Sequence, residues 1–535
     1  FDRSDAQLFF HEEMILKIPC INAFKSGSII LPLFPILIFY LWLGQDWPLE
    51  WVDEAHFSAV TDSLLRGTFP SVPELSAENG IFWMPFFSNL IHAIIYKLMG
   101  VDSIYSIYAI RPYIVLPAVA AIYFSLFNLL KVVTKSRIIA VMLSATFLIY
   151  PEVAGPINTV RQENICIFLL ITMVLLCLGN NSISAILTSG IILLTHPLAG
   201  IIALSTLAIW FTSNIQFNIS KKQCASPSIF LNNSIKQASP TLKWSLFQDK
   251  YKIIFLVIFA AASSINLYAV LAYPDGFAHL YDHLGYQSAR KAGRTFLEPL
   301  LKILAVDGPY LLASFISYSA IFRRKLITLN LPNSQYSWQA RSIKIGLIFG
   351  TLLILIPGII GQEMWYSAYE YLGLFIIMAS LFGMGKLAVE FSRQDYGTKK
   401  IVRTCFFVSA AMFLYVALTL PAYSFSRISL SDRQEFKTRK IVSEKVAMYL
   451  KDFDSKFQVD GFSFRIMKYQ AKKVGSTATI VNIPGAIKDS PHKSNPLILI
   501  SGTTPHKGVF WSQAGGMSCT SIAESSQVEA YLCKK

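Results

Sequence analysis

From Asn164 to Ser220 the chain reads NICIFLLITMVLLCLGNNSISAILTSGIILLTHPLAGIIALSTLAIWFTSNIQFNIS, without one Asp, Glu, Lys or Arg. Apolar runs of about 20 residues are what a hydrocarbon core about 30 Å thick requires of a helix. Asn180-Asn181 and His196-Pro197 interrupt the run, so it is read as three successive passes. The rest of the 535 residues has the same character, with 53% hydrophobic and 15% charged residues and a mean hydropathy of +0.48. Soluble domains carry about 25% charge. The composition therefore excludes an ordinary cytosolic enzyme, a disordered chain and a fibre, and leaves an all-α polytopic membrane protein.

Lys and Arg number 47 against 32 Asp and Glu, a net charge of +15. Much of the excess stands in short runs between apolar segments, such as Arg323-Arg324-Lys325 and Lys399-Lys400 with Arg403. That is the positive-inside pattern, and it needs no nucleic acid as partner. The expected spans are 26–45, 104–130, 138–151, three within 164–220, 253–273, 308–322, 345–361, 368–385 and 404–425, about eleven in all. Residues 1–25 are expected in the cytoplasm, with Met14 as the candidate natural start, and no small-residue cleavage site follows Leu41-Trp42-Leu43. The module 26–425 then exposes outer loops at 46–103 and 274–299. Within the first, residues Phe86 to Met99 look amphipathic and suit the membrane interface.

Residues 426–535 are charged, lack a long apolar run, and read as a small extracytoplasmic α/β domain. Ser431 to Leu450 has helical spacing behind a Ser431/Asp432 cap. Thr479–Ile483 and Leu497–Ser501 read as strands. The seven cysteines show no metal-binding spacing, and Cys519 and Cys533 are placed to pair if this domain sits in an oxidising space.

Several ionisable residues gather at the expected outer face. Asp53-Glu54 follows the first span, between Trp51 and Phe57, with His56 beside it. A carboxylate there suits a general base, or simply a solvated interfacial loop. Arg111 opens the second span, and Arg161 and Glu163 stand at the mouth of the fourth. Such an arginine suits a lipid phosphate, or snorkels to head groups. The 274–299 loop holds His279, His283, Arg290, Lys291 and Arg294, basic residues on a side where they are unusual. A phosphate-bearing head group explains the last three. His279 and His283 stand four apart, a spacing that can hold a divalent metal, although no third ligand is evident. His196 interrupts an apolar stretch, and Glu370 lies among tyrosines at the start of the tenth span.

Val52-Asp53-Glu54-Ala55-His56-Phe57, then Ile81-Phe82-Trp83-Met84-Pro85-Phe86, then Arg111, resembles the GT-C membrane glycosyltransferases. Within them it is most similar to the protein O-mannosyltransferase and lipid A aminoarabinose transferase superfamily. Arg161-Gln162-Glu163 and Leu194-Thr195-His196-Pro197 occupy places where such proteins carry similar motifs, and the resemblance covers roughly residues 26–425. It departs at Trp83-Met84-Pro85, where relatives carry charged residues or His before a Pro-Pro pair, and at Glu370-Tyr371, where they carry an arginine-tyrosine element.

The resemblance implies transfer of a sugar from a polyprenyl-phosphate donor to a glycan, lipid or protein acceptor at the outer face. It implies Asp53 as general base with Glu54 beside it. Arg111, Arg290, Lys291 and Arg294 are the candidates for the donor phosphate. His56, Arg161, Glu163, His196 and Glu370 are candidates for substrate contact. A single displacement inverts the anomeric centre. The expected location is a bacterial inner membrane, N-terminus cytoplasmic and C-terminal domain periplasmic. Two rival readings stay open: a lipid or solute transporter, and an O-antigen ligase-like transferase using the 274–299 loop.

Overall fold

The computed structural model of the chain describes residues 30–44, 51–69, 71–72, 86–101, 103–105, 107–134, 136–149, 153–154, 157–158, 160, 162–179, 181–196, 199–211, 257, 260, 308, 312–313, 315–316, 384, 387, 403–404, 406–412, 414, 430–483, 496–501, 517–525 and 528–534. Among them a helical module precedes a small α/β unit. The helices of the module are α1 (Leu33–Gly44), α2 (Trp51–Arg66), α3 (Phe87–Met99) and α4 (Ile107–Ile110). A π turn (Arg111–Val115) leads into α5 (Leu116–Thr134), then α6 (Arg137–Ile149), α7 (Glu163–Leu178), α8 (Ser182–Thr195) and α9 (Ala199–Phe211).

The uncharged run breaks where the sequence places the breaks. Asn181 caps α8, its Oδ1 accepting from the Ser184 N–H at 3.3 Å, and His196 ends α8 in an extended conformation. Helix α5 packs on α1, α6 and α7, and α7 packs on α8. Tyr40, Tyr123, Phe127, Phe147 and Trp210 are fully buried between these helices. The Tyr40 hydroxyl donates to the Leu148 carbonyl at 2.8 Å, a group near the end of α6 that has no partner within the helix.

The outward faces of the same helices are apolar too. Leu31, Phe34, Ile38 and Leu41 form an exposed stripe along α1, as do Ile138 and Met142 on α6 and Ile183 and Leu187 on α8. Helices apolar on buried and exposed faces alike suit lipid surroundings. Among the described residues one helix, Arg111–Lys131, is long and apolar enough to cross a membrane, and α6 to α9 are shorter apolar helices. The expected spans beyond residue 211 lie outside the described residues, save for isolated positions and most of 403–414.

The C-terminal unit holds α10 (Leu430–Tyr449), β1 (Lys456–Asp460), α11 (Gly461–Lys473), β2 (Thr479–Ile483), β3 (Leu497–Ser501), β4 (Ser518–Ser525) and β5 (Val528–Lys534). The strand order is β2-β1-β3-β5-β4. Strand β1 runs parallel to β2 and β3, while β5 runs antiparallel to β3 and β4. Parallel β1 and β2 need a crossover, and α11 supplies it. Strand β3 lies in the middle and reads Leu497-Ile498-Leu499-Ile500, all buried. Ile498 and Ile500 join the cluster that includes Val442, Val446 and Phe464 of the two helices, and Leu497 and Leu499 join Cys533 in a second cluster. That split is the period-two alternation of a strand covered on both faces. Arg439 of α10 is buried and donates to the Ile500 carbonyl at 2.7 Å and the Ser463 hydroxyl at 3.2 Å, tying both helices to β3. Cys519 and Cys533, directly opposed on β4 and β5, form a disulfide.

This unit is docked on the segment between α1 and α5. Helix α11 packs against α2. The Phe464 ring meets Tyr105 edge-on at 5.7 Å, and Lys468 sits 5.6 Å over the same tyrosine. The Tyr105 hydroxyl in turn donates to Asp62 on α2 at 3.2 Å, and Asp62 pairs with Arg66 at 3.1 Å. The apolar segment expected to start at Ile104 therefore starts at Ile107, because Ile104 and Tyr105 are buried in this contact instead.

Candidate active site

Asp53, Glu54 and His56 fall in the first turns of α2, so the Asp-Glu pair is held on a helix rather than a loop. One turn on, α2 is bonded to α3. The Asn89 amide donates to the Phe57 carbonyl at 2.8 Å and to the Thr61 hydroxyl at 3.1 Å. The Phe57 carbonyl can only accept, which fixes the amide orientation and leaves Asn89 Oδ1 facing elsewhere.

Helix α3 is built the reverse of a soluble amphipathic helix. Ser88, Asn89, His92 and Tyr96, one face at helical spacing, are buried, whereas Ile94, Leu98 and Met99 are exposed, Leu98 to 79%. Its apolar side therefore suits lipid, in keeping with an interfacial helix. The helix packs on α2, on the π turn and on α8, the helix that His196 ends, and its polar residue Asn89 is bonded to α2.

Several polar atoms in and beside this seam have no hydrogen-bond partner: Ser58 Oγ on α2, and Ser88 Oγ, Asn89 Oδ1 and both ring nitrogens of His92 on α3. His92 is 2% exposed. Each buried group left bare costs about 1–3 kcal/mol. Burial pushes the His92 imidazole down to about 4, so the ring is neutral at physiological pH. None of these residues was singled out from the sequence. Their spacing within Phe87–Met99 is the mark that could have found them.

Arg111 lies in the π turn and is 4% exposed. Pro112 has no N–H to continue an α register, and the Leu116 N–H bonds back to the Arg111 carbonyl. π turns within helices are frequent at functional sites. A buried guanidinium is a fixed positive charge at the head of the long apolar helix Arg111–Lys131. At the entrance to α7, Asn158 and Gln162 are buried with Asn158 Oδ1 and Gln162 Oε1 unpartnered, and Glu163 opens the helix.

The structure thus brings α2, bearing Asp53 and Glu54, and the Arg111 turn against a common helix, α3. Arg161, His279, His283, Arg290, Lys291, Arg294 and Glu370 lie outside the described residues. Among the described residues no three His, Cys, Asp or Glu cluster as metal ligands would.

No protein-family model matches this chain, and no curated protein matches it. Among solved structures it is similar to the oligosaccharyltransferase of Archaeoglobus fulgidus tethered with an acceptor peptide containing the NVT sequon. That TM-score is 0.50, at 12% identity over 92% of this chain and 71% of that one. The apo form of the same archaeal enzyme gives 0.48 at 12% identity, with the same coverage. AglB of that organism, in complex with an inhibitory peptide and a dolichol-phosphate, gives 0.46 at 11% identity. The first likeness is one of fold, a helical module with a small sheet.

Proposed function

We propose that this chain is an integral-membrane glycosyltransferase that moves a sugar from a polyprenyl-phosphate carrier to an acceptor at the outer face of the membrane. The observation that carries the reading is the packing of α3 against both the Asp53-Glu54 helix and the Arg111 turn, at the head of an apolar helical module. The fold likeness to an archaeal oligosaccharyltransferase supports it.

The chemistry suits such an arrangement. Asp53 takes the proton of an acceptor hydroxyl or amine as that atom attacks the anomeric carbon. The bond from that carbon to the phosphate oxygen breaks, and the lipid phosphate leaves as an anion. Phosphate needs charge stabilisation more than protonation, and preorganised Arg111, with Arg290, Lys291 and Arg294, would supply it. One displacement inverts the anomeric centre, and Glu54 would orient the acceptor. His56, Arg161, Glu163, His196 and Glu370 are the candidates for further substrate contact.

The topology follows the same reasoning. Contact of the α/β unit with Ile104 and Tyr105 supports an even number of crossings between Ile104 and residue 426, as the ten spans that follow the first in an eleven-span chain require. The Cys519–Cys533 bridge supports an oxidising, extracytoplasmic location for that unit.

Asp53→Asn tests the reading. In reconstituted protein it should lower sugar transfer by about 10²–10⁴-fold while binding of the lipid donor persists. Transfer at near wild-type rate would remove Asp53 from the role of base.

A further inference from the structure

We infer that the seam between α2 and α3 is a subsite for an uncharged, hydroxyl-rich group, the chemistry of a sugar ring, with His92, Ser88, Asn89 and Ser58 as its ligands. The inference deepens the glycosyltransferase reading and rests on it for the carrier lipid.

Three observations carry it. First, the unpartnered atoms are complementary to hydroxyls. Two serine hydroxyls can each donate and accept, Asn89 Oδ1 accepts, and a neutral imidazole offers one donor and one acceptor. Second, the four residues that own these atoms are all neutral, so they suit a polyol better than a bare phosphate or a metal ion. Third, the residues sit where transfer would occur: Ser58 is on the helix that begins with the Asp53-Glu54 pair, and His92 is on the helix that packs against the Arg111 turn.

The bare atoms expose almost no surface, so a ligand reaches them only when α3 lifts from α2. The closed seam leaves its own hydrogen bonds unmade, which biases it toward that opening. A ligand that supplies the missing partners stabilises the open arrangement. The Asn89 amide ties the two helices at this point, and an opening that admits a ligand would break its bonds to the Phe57 carbonyl and the Thr61 hydroxyl.

The experiment uses the full chain in nanodiscs, with polyprenyl phosphate and a set of polyprenyl phosphoryl hexoses and pentoses as probes. Wild type should bind at least one glycosylated lipid about tenfold more tightly than the bare phosphate. His92→Phe should bring the ratio near one while its thermal midpoint holds or rises, because a ring with unmet bonds gives way to one that needs none. His92→Gln should restore part of the preference. If His92→Phe misfolds, Ser88→Ala carries the test and should reduce the ratio severalfold. Wild type that binds every lipid equally overturns the subsite but leaves the carrier reading standing. Wild type that binds none overturns both. A preference untouched by His92→Phe or Ser88→Ala returns the seam to plain packing.

Discussion

The Arg465 guanidinium on α11 donates to the backbone carbonyl of Ile104 at 3.0 Å, joining residues 361 positions apart. Arg465 is buried, and its neighbour Phe464 packs on Tyr105. The segment it grips ends only a few residues before Arg111, and Tyr105 is bonded to Asp62 on the helix that begins with Asp53 and Glu54. The α/β unit is therefore a brace on the two elements proposed to hold base and phosphate.

Arg465→Met should weaken that brace. A hydrogen bond from a charged group contributes about 1.5–3 kcal/mol, and the Ile104 carbonyl would be left bare. Thermal unfolding in detergent should show a drop of that order, and limited proteolysis should release the C-terminal unit more readily. Unchanged stability with an intact protease pattern would show that the brace rests on the other contacts of α11, with α2 and with Tyr105, and not on the Arg465 bond.

Reduction should loosen the same unit. The Cys519–Cys533 bridge closes a loop with a sequence separation of 14, for which chain entropy gives about 3 kcal/mol. A thiol reductant should lower the unfolding midpoint of wild type and leave Cys519→Ser unmoved, measured side by side. Equal response of the two proteins would mean that the bridge does not form in the isolated protein.

The three basic residues of the 274–299 loop offer a test of the donor site. Replacing Arg290, Lys291 and Arg294 with Gln should raise the KM for the lipid donor by tenfold or more, since each charge-assisted bond to phosphate contributes about 1.5–3 kcal/mol. The KM for the acceptor should stay constant. A donor KM that does not move would return these residues to general attraction for anionic head groups.

The physical form of each element decides how much of it the sequence revealed. Strand β3 is covered on both faces, so Leu497-Ile498-Leu499-Ile500 is a continuous apolar run and is legible. The α10 helix and β2 are legible for similar reasons, and so are the breaks at Asn181 and His196. Strand β4, Ser518-Cys519-Thr520-Ser521-Ile522-Ala523-Glu524-Ser525, is an edge with a register shift between Ser521 and Ala523, and it shows no alternation to read. Ile104 and Tyr105 mislead because burial against the α/β unit favours the same residue types as burial in lipid. The Asp53-Glu54 pair stands out in the sequence as a candidate, while the burial of His92 does not. A histidine on an amphipathic segment ordinarily faces water, and only the packing of α3 on α2 shows that the polar side is the inner one.

That inversion makes stability depend on pH in a defined window. The folded state holds the His92 imidazole at about 4, through burial alone, against an ordinary value of 6.5. Above pH 6.5 the ring is neutral in both states and contributes no dependence. As pH falls from 6.5 toward 4 the unfolded chain takes up the proton first, so folding loses up to about 3 kcal/mol; below 4 the loss levels off. Nearby elements carry other titratable or charged groups: Asp53, Glu54 and His56 on α2, Arg111 in the π turn and His196 at the end of α8. The comparison with His92→Phe removes their share. Measured across pH 7.5 to 4, the gap between the two midpoints should be constant above pH 6.5 and widen toward pH 4, with the variant the more stable at the acid end. Parallel curves for the two proteins would mean that His92 is hydrated in the folded state and that α3 does not seal against α2.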